Sequence, residues 1–317
     1  MWSAASCSTS LPRPSAALLP IVLLLLAGCS GDGKEEQPAA SEWEFTTPMA
    51  NRRSYVAAAE LGGKIYVAGG MFGGAGTRLD RVQRFDPERE SWTTLPRLPE
   101  PVRAGAGASL HGAFVVIGGT TPTGGGRQVY VYAPGRGWRK SDPLPRRLYN
   151  HAAVSTGDRI YVLGGYDTQS EELRSVYFTS PRVRGWQPSP PLPRPVHAFG
   201  AVFFRGEIWV IGGRRGERQL REVWIFDPVR SRWRAGPSLP RPMELLGATV
   251  VGDQIHAVWE RTYQIYDASE GRWRDGPAPL EPRHALSLFH VDGSLYAVGG
   301  CTPELRDTAA VETRRLR

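Results

Sequence analysis

The sequence predicts an all-β protein made of six small antiparallel sheets arranged in a closed ring. Three series of marks predict it. A strand-like run ending in Gly-Gly recurs as I-Y-V-A-G-G at 65–70, F-V-V-I-G-G at 114–119, I-Y-V-L-G-G at 160–165, I-W-V-I-G-G at 208–213 and L-Y-A-V-G-G at 295–300. Turn pairs follow at Asp86-Pro87, Ala133-Pro134, Ser180-Pro181 and Asp227-Pro228, spaced by 47 residues, with Asp267-Ala268 another 40 on. Tryptophan comes next, at 92, 138, 186, 233 and 273. In the first four repeats a Leu-Pro turn lies six residues beyond it: Leu98-Pro99, Leu144-Pro145, Leu192-Pro193 and Leu239-Pro240.

Each mark has a physical reason. The run before Gly-Gly is apolar throughout, as expected of a strand covered on both faces. The paired glycines let the chain leave that strand where a side chain would strike the neighbouring sheet. The third strand of each repeat, such as Val223-Trp224-Ile225-Phe226, ends in the Asp-Pro turn. The tryptophan opens an outer strand and places a large ring between sheets. A sixth Gly-Gly copy is eroded: Ile255-His256-Ala257-Val258-Trp259-Glu260 keeps the strand and has lost both glycines, in a repeat about seven residues shorter than the others.

A period near 47 fits a four-stranded unit, and these marks together resemble the kelch repeat over residues 42–317. The resemblance implies a six-bladed kelch-type β-propeller. Six second strands meet only five following tryptophans, and the chain runs out at Val311-Glu312-Thr313-Arg314-Arg315-Leu316, a third strand with no fourth. Trp43, in S-E-W-E-F, supplies the missing member. Residues 42–46 are therefore expected to form the outer strand of the last blade and close the ring, removing exposed edges.

Composition agrees with this reading. With 41% hydrophobic residues, 37 Gly and 27 Pro, the chain is too apolar for disorder and too rich in breakers for a helical bundle. Cys7, Cys29 and Cys301 are too few and too scattered for a disulfide framework. The net charge of +8 is spread one or two arginines per repeat, not gathered in a stripe, which argues against nucleic acid as a partner.

The N-terminus reads as an address. An apolar run at 16–27 follows Arg13 and is too short to span a bilayer, but it suits a signal-peptide core. It ends in Leu26-Ala27-Gly28-Cys29, which resembles the bacterial lipobox. That resemblance implies lipidation of the Cys29 thiol and cleavage before it. The expected organisation is a signal peptide at 1–28, lipidated Cys29 opening a polar tether through residue 41, and the propeller at 42–317. The product would be exported and held at the bacterial envelope, on the periplasmic or cell-surface side, by its lipid alone.

Propellers bind through loops at the mouth of the central channel. Aligning the repeats on their second strands places Ser54, Arg103, Tyr149, His197, Glu244 and His284 in successive fourth-to-first-strand connections. Met71, Thr120, Tyr166, Arg214, Arg261 and Cys301 follow the Gly-Gly positions. By resemblance to kelch propellers both sets open on one face, with Arg53, Arg147, Arg215 and Arg283 beside them. From these, Arg53, Arg103, Tyr149, Tyr166, His197, Arg214, Glu244, Arg261 and His284 are the expected binding residues. Arginine forks suit carboxylate or sulfate, and aromatic rings suit sugar faces.

The expected function is a binding or scaffolding module, not an enzyme, whose partner is an anionic glycan or an acidic segment of an envelope protein. The alternative comes from the kelch resemblance. That family includes a periplasmic six-bladed sialic-acid mutarotase, so Glu244 with Arg214 or Arg261 would serve an epimerase acting on an acidic monosaccharide. No cofactor is expected. His197, Glu244 and His284 come from successive blades but match no metal signature, so no metal is expected either. Cys301 has no base beside it in sequence and reads as structural.

Overall fold

The computed structural model describes residues 42–73 and 76–316. The expected signal peptide, Cys29, Cys7 and the tether lie outside the described residues. Six four-stranded antiparallel sheets account for the fold, and no described residue is helical. In the first, Ala57–Leu61, Lys64–Ala68, Val82–Asp86 and Ser91–Leu95 pair in that order from the axis outward. The next four repeat the plan, with inner strands Ala106–Leu110, Ala152–Ser155, Gly200–Phe204 and Gly247–Val251.

The last blade is built from both ends of the described chain. Ser287–Val291, Ser294–Val298 and Val311–Arg315 supply three strands, and Glu44–Thr46 the fourth. The register pairs Glu44 with Thr313, Phe45 with Glu312 and Thr46 with Val311, as the count of tryptophans requires.

The tryptophan series has a second purpose besides area. Each indole N–H donates to a carbonyl of the preceding blade's outer segment: Trp92 to Thr47, Trp138 to Pro96, Trp186 to Asp142, Trp233 to Pro190 and Trp273 to Pro237, at 2.8–3.0 Å. Trp43 donates to Pro277 at 2.9 Å and so completes the set. A buried or half-buried ring whose polar edge finds an acceptor in the neighbouring blade ties sheet to sheet.

The double glycines act at the same seams. A Cβ on Gly69 would stand 2.3 Å from the Val102 carbonyl oxygen, so no side chain fits there. The following amide, Gly70, donates to that same carbonyl at 2.8 Å, and the corresponding bond recurs in every blade. In the eroded copy Glu260 takes over, at φ +50, donating to Arg283 at 2.7 Å. The strand Gln254–Trp259 runs straight into Thr262–Asp267 through a tight turn, with Trp259 opposite Thr262. The short repeat has thus lost its mouth loop and kept its inter-blade bond.

The Asp at the third-strand turn caps it from its side chain. Asp227 Oδ1 accepts the Val229 and Arg230 amides at 2.9 Å, the local bonding that favours Asp in turns. A share of the arginine is scaffold too. Arg127, Arg174 and Arg221 each donate Nε–H, at 2.6 Å, to the carbonyl of the leucine in their own Leu-Pro turn.

Candidate functional site

The two loop sets read from the sequence meet one another. Isolated bridges join Ser54 to Met71, Arg103 to Thr120, Tyr149 to Tyr166, His197 to Arg214 and His284 to Cys301. They therefore open on one face, at one mouth of the channel. Beneath them a belt of backbone narrows the passage. Tyr55, Ala104, Asn150, Ala198, Leu245 and Ala285 all hold φ between +48 and +56. The Ala104 amide donates to Tyr55, Asn150 to Ala104, Ala198 to Asn150, Leu245 to Ala198 and Ala285 to Leu245, at 2.6–3.0 Å. Left-handed backbone at non-glycine residues is costly and persists where surroundings enforce it, which is common at ligand sites.

Over blades three to five the mouth forms a polar pocket of about 330 Å³, lined by Tyr55, Asn150, Tyr166, His197, Arg214 and Glu244 among others. The Tyr166 hydroxyl lies 2.8 Å from His197 Nε2, and the two rings stack with centroids 4.0 Å apart. Tyr149 extends this wall, its ring 5.4 Å from that of Tyr166. His197 is held neutral, since burial and the Arg214 charge push its pKa down to about 4. Arg214 Nη1 donates to both Glu244 oxygens, at 3.1 and 3.3 Å, and Gln219 Nε2 donates to Glu244 Oε1 at 3.1 Å. Glu172 approaches from the side, 3.5 Å from His197 Nε2, and accepts the Gly216 amide.

Over blades one and two the character changes. Arg78 and Arg103 both donate through Nε to Thr120 Oγ1, at 3.2 and 3.3 Å. Neither has a carboxylate within 4 Å among the described residues, whereas Arg214, Arg215 and Arg146 are paired with Glu244, Glu222 and Asp167. Burial and the Arg103 charge lower the Arg78 pKa, the mark of two cations crowded together without a counter-ion. Arginine forks in that state are ready to receive an anion.

The structure departs from the sequence-based list at three points. Arg53 is fully buried, its guanidinium spent on the carbonyls of Gly69 and Arg81 and on Gln83, so it cannot reach a ligand. Arg261 sits exposed in the short turn of the eroded repeat and does not line the pocket. His284 turns to Glu260, at 3.6 Å, and stands apart from His197 and Glu244. No group of three or more His, Cys, Asp or Glu residues is spaced to hold a metal among the described residues. Two of the flanking arginines, Arg215 and Arg283, are likewise committed, Arg215 to Glu222 and Arg283 to buried Glu312 at 2.8 Å. Cys301 is buried, and burial with Asp307 pushes its thiol up to about 11, which leaves it unreactive.

Four residues of the site were missed by the sequence: Tyr55, Asn150, Arg78 and Glu172. Tyr55 and Asn150 occupy the belt position directly after the aligned Ser54 and Tyr149. Among its alanines and leucine they are the polar members, which was the available signal. Arg78 and Glu172 lie in loops of differing length, where repeat alignment gives no register.

Known proteins agree with the fold. The Kelch motif family profile matches residues 52–99, 147–177 and 195–240. Kelch-like protein 36 of Rattus norvegicus is 33% identical over 145 residues, covering 44% of this chain and 23% of its own. Kelch-like protein 35 of Mus musculus is 34% identical over 145 residues, covering 45% and 24%. The chain thus spans about a quarter of the length of the curated relatives it matches. The solved structure of YjhT superposes with a TM-score of 0.73 at 14% identity, over 84% of this chain and 95% of that one. The protein is a six-bladed β-propeller carrying kelch repeats.

Proposed function

We propose that this protein is a lipid-anchored binding module of the bacterial cell envelope, and that its channel mouth receives an anionic, hydroxyl-rich ligand such as an acidic glycan. The observation that carries the reading is the Arg78–Arg103 pair over Thr120, without a carboxylate within 4 Å among the described residues, at the same mouth as a pocket of rings and hydrogen-bonding groups. A carboxylate or sulfate seats on the two guanidiniums. A sugar ring lies against Tyr149 and Tyr166, and its hydroxyls meet Asn150, His197 and Glu244. The lipobox-like Leu26-Ala27-Gly28-Cys29 supports the anchor.

Glycan-array binding tests the ligand class. Wild type should retain glycans bearing carboxylate or sulfate and ignore their neutral counterparts, and an Arg78→Ala/Arg103→Ala variant should lose at least tenfold in affinity. Equal binding by the variant sinks the reading. For the anchor, Cys29→Ser should move the protein from the membrane to the soluble fraction, and a wild type already soluble refutes it.

A second reading is favoured by the Glu244 carboxylate, which stands inside the same pocket with Arg214 and His197. Glu244 would move the proton in anomer exchange of an acidic monosaccharide while Arg214 holds its carboxylate. NMR exchange measurements with sialic or uronic acids decide it. Acceleration abolished by Glu244→Gln favours the enzyme, and uncatalysed rates in the presence of wild type exclude it.

A further inference from the structure

Ring pairs close most of the seams between blades. The second strand of one blade and the third strand of the next each contribute a side chain. Tyr66 meets Tyr132 at 6.2 Å between centroids, Tyr161 meets Phe226 at 6.0 Å, Trp209 meets Tyr266 at 4.8 Å, and Tyr296 meets Phe85 at 5.7 Å. In the seam of the fifth and sixth blades the two positions hold His256 and Arg314, and Arg314 lies over the Tyr263 ring at 5.5 Å. The seam between the second and third blades differs at both positions. Registers place Val115 where the others carry an aromatic ring, and Thr179 where they carry Phe, Tyr or Arg.

The gap does not close up. The seam is pinned at one end by the Gly119 amide bonding to Leu148 at 2.8 Å, and at the other by the Trp186 indole bonding to Asp142 at 3.0 Å. Between them lies a groove of about 360 Å³, walled by Val115, Val131, Ile160 and Trp186. The Thr179 hydroxyl is already satisfied by the Gly185 carbonyl at 2.9 Å, and the polar members of the lining include Arg139, Ser141 and Asp142 beside the apolar wall. The groove reaches His111 and Ser180, in turns at the end of the blades opposite the mouth, and is separate from the site above.

We propose that this seam binds a flat aromatic ligand of up to two fused rings, which takes the place of the two missing side-chain rings and stacks against Trp186. An enclosed apolar cavity of ~150 Å³ already holds benzene, so a groove of about 360 Å³ has room for a bicyclic ring against its apolar wall. Rings packed offset or edge-on gain beyond their buried area, which favours an aromatic occupant over an aliphatic one.

Indole and 2-naphthol are the neutral probes, with cyclohexanol as the non-aromatic control, titrated into the full-length protein. Calorimetry should give dissociation constants below ~1 mM for the two aromatics and at least tenfold weaker binding of cyclohexanol. In the Val115→Tyr/Thr179→Phe variant, which restores the rings, aromatic binding should fall at least tenfold while the melting temperature holds or rises. Methyl resonances of Val115, Val131 and Ile160 in wild type should shift on titration, a readout that does not depend on the variant folding. Undiminished binding by the filled variant, cyclohexanol binding as well as indole, or unmoved methyls at millimolar probe would each overturn the proposal.

Discussion

Arg78 and Arg103 direct their Nε–H groups at one acceptor, Thr120 Oγ1, from 3.2 and 3.3 Å. Two like charges drawn together with no carboxylate within 4 Å among the described residues form the pair proposed to receive an anion. Binding through this pair should weaken with added salt, since screening at a half-exposed site grows as the Debye length shrinks. Affinity for an acidic glycan, measured at 50 and 500 mM NaCl, should fall severalfold in wild type and hardly change in Arg78→Ala/Arg103→Ala. A salt response unaltered in the variant would place the anion elsewhere.

Trp43 supports ring closure by ring and by N–H. Its side chain is 2% exposed and packs edge-on to Tyr263 at 5.6 Å. Trp43→Ala should cost about 3–5 kcal/mol of stability in denaturant unfolding, and Trp43→Phe less, since part of the ring remains. Deletion of residues 42–48 should leave an open blade that aggregates. A deletion that melts like wild type would refute closure by this strand.

Three buried histidines should make the fold acid-sensitive. Burial, first among the causes, pushes His151 and His197 down to about 4 and His256 to about 3. Each folded value lies below the ordinary 6.5, so the unfolded chain takes up protons first. The stabilisation is complete above pH 6.5 and declines as pH falls towards 4, by on the order of 1 kcal/mol per pH unit for each histidine. Urea unfolding at pH 7.5 and 5.0 should show the loss, and His151→Leu should reduce it. Equal midpoints at both pH values would contradict these assignments.

Cys301 should resist alkylation in the native state. With its thiol raised to about 11 and its side chain buried, iodoacetamide at pH 8 should label it only as fast as the fold opens. Rapid labelling of the native protein, read by mass spectrometry, would show a mobile mouth loop.

The fold was legible because its marks are obligatory. A side chain at Gly69 collides with Val102, and each tryptophan of the six-member series donates to an acceptor in the preceding blade, so the repetition is written in residues that five of the six blades keep unchanged at the glycine pair. The site was legible only in part. Alignment brought Tyr166, His197, Arg214 and Glu244 to one pocket, because their positions are fixed by strands. It could not distinguish a free arginine from a committed one. Arg53 and Arg103 occupy neighbouring positions of the same connection in successive repeats, yet one is spent on carbonyls and the other faces the mouth. The anion site proposed at Arg78 and Arg103 is a smaller patch than the basic face expected, since Arg127, Arg174 and Arg221 brace turns.

The pairing of Glu44 with Thr313 also imposes an order of assembly. A ribosome delivers residue 44 long before residue 313, so the Glu44–Thr46 strand must wait, partnerless, until Val311–Arg315 has been made. Five blades can mature in sequence as they emerge. Ring closure joins two segments more than 260 residues apart, and a chain cut short before residue 311 never makes that join.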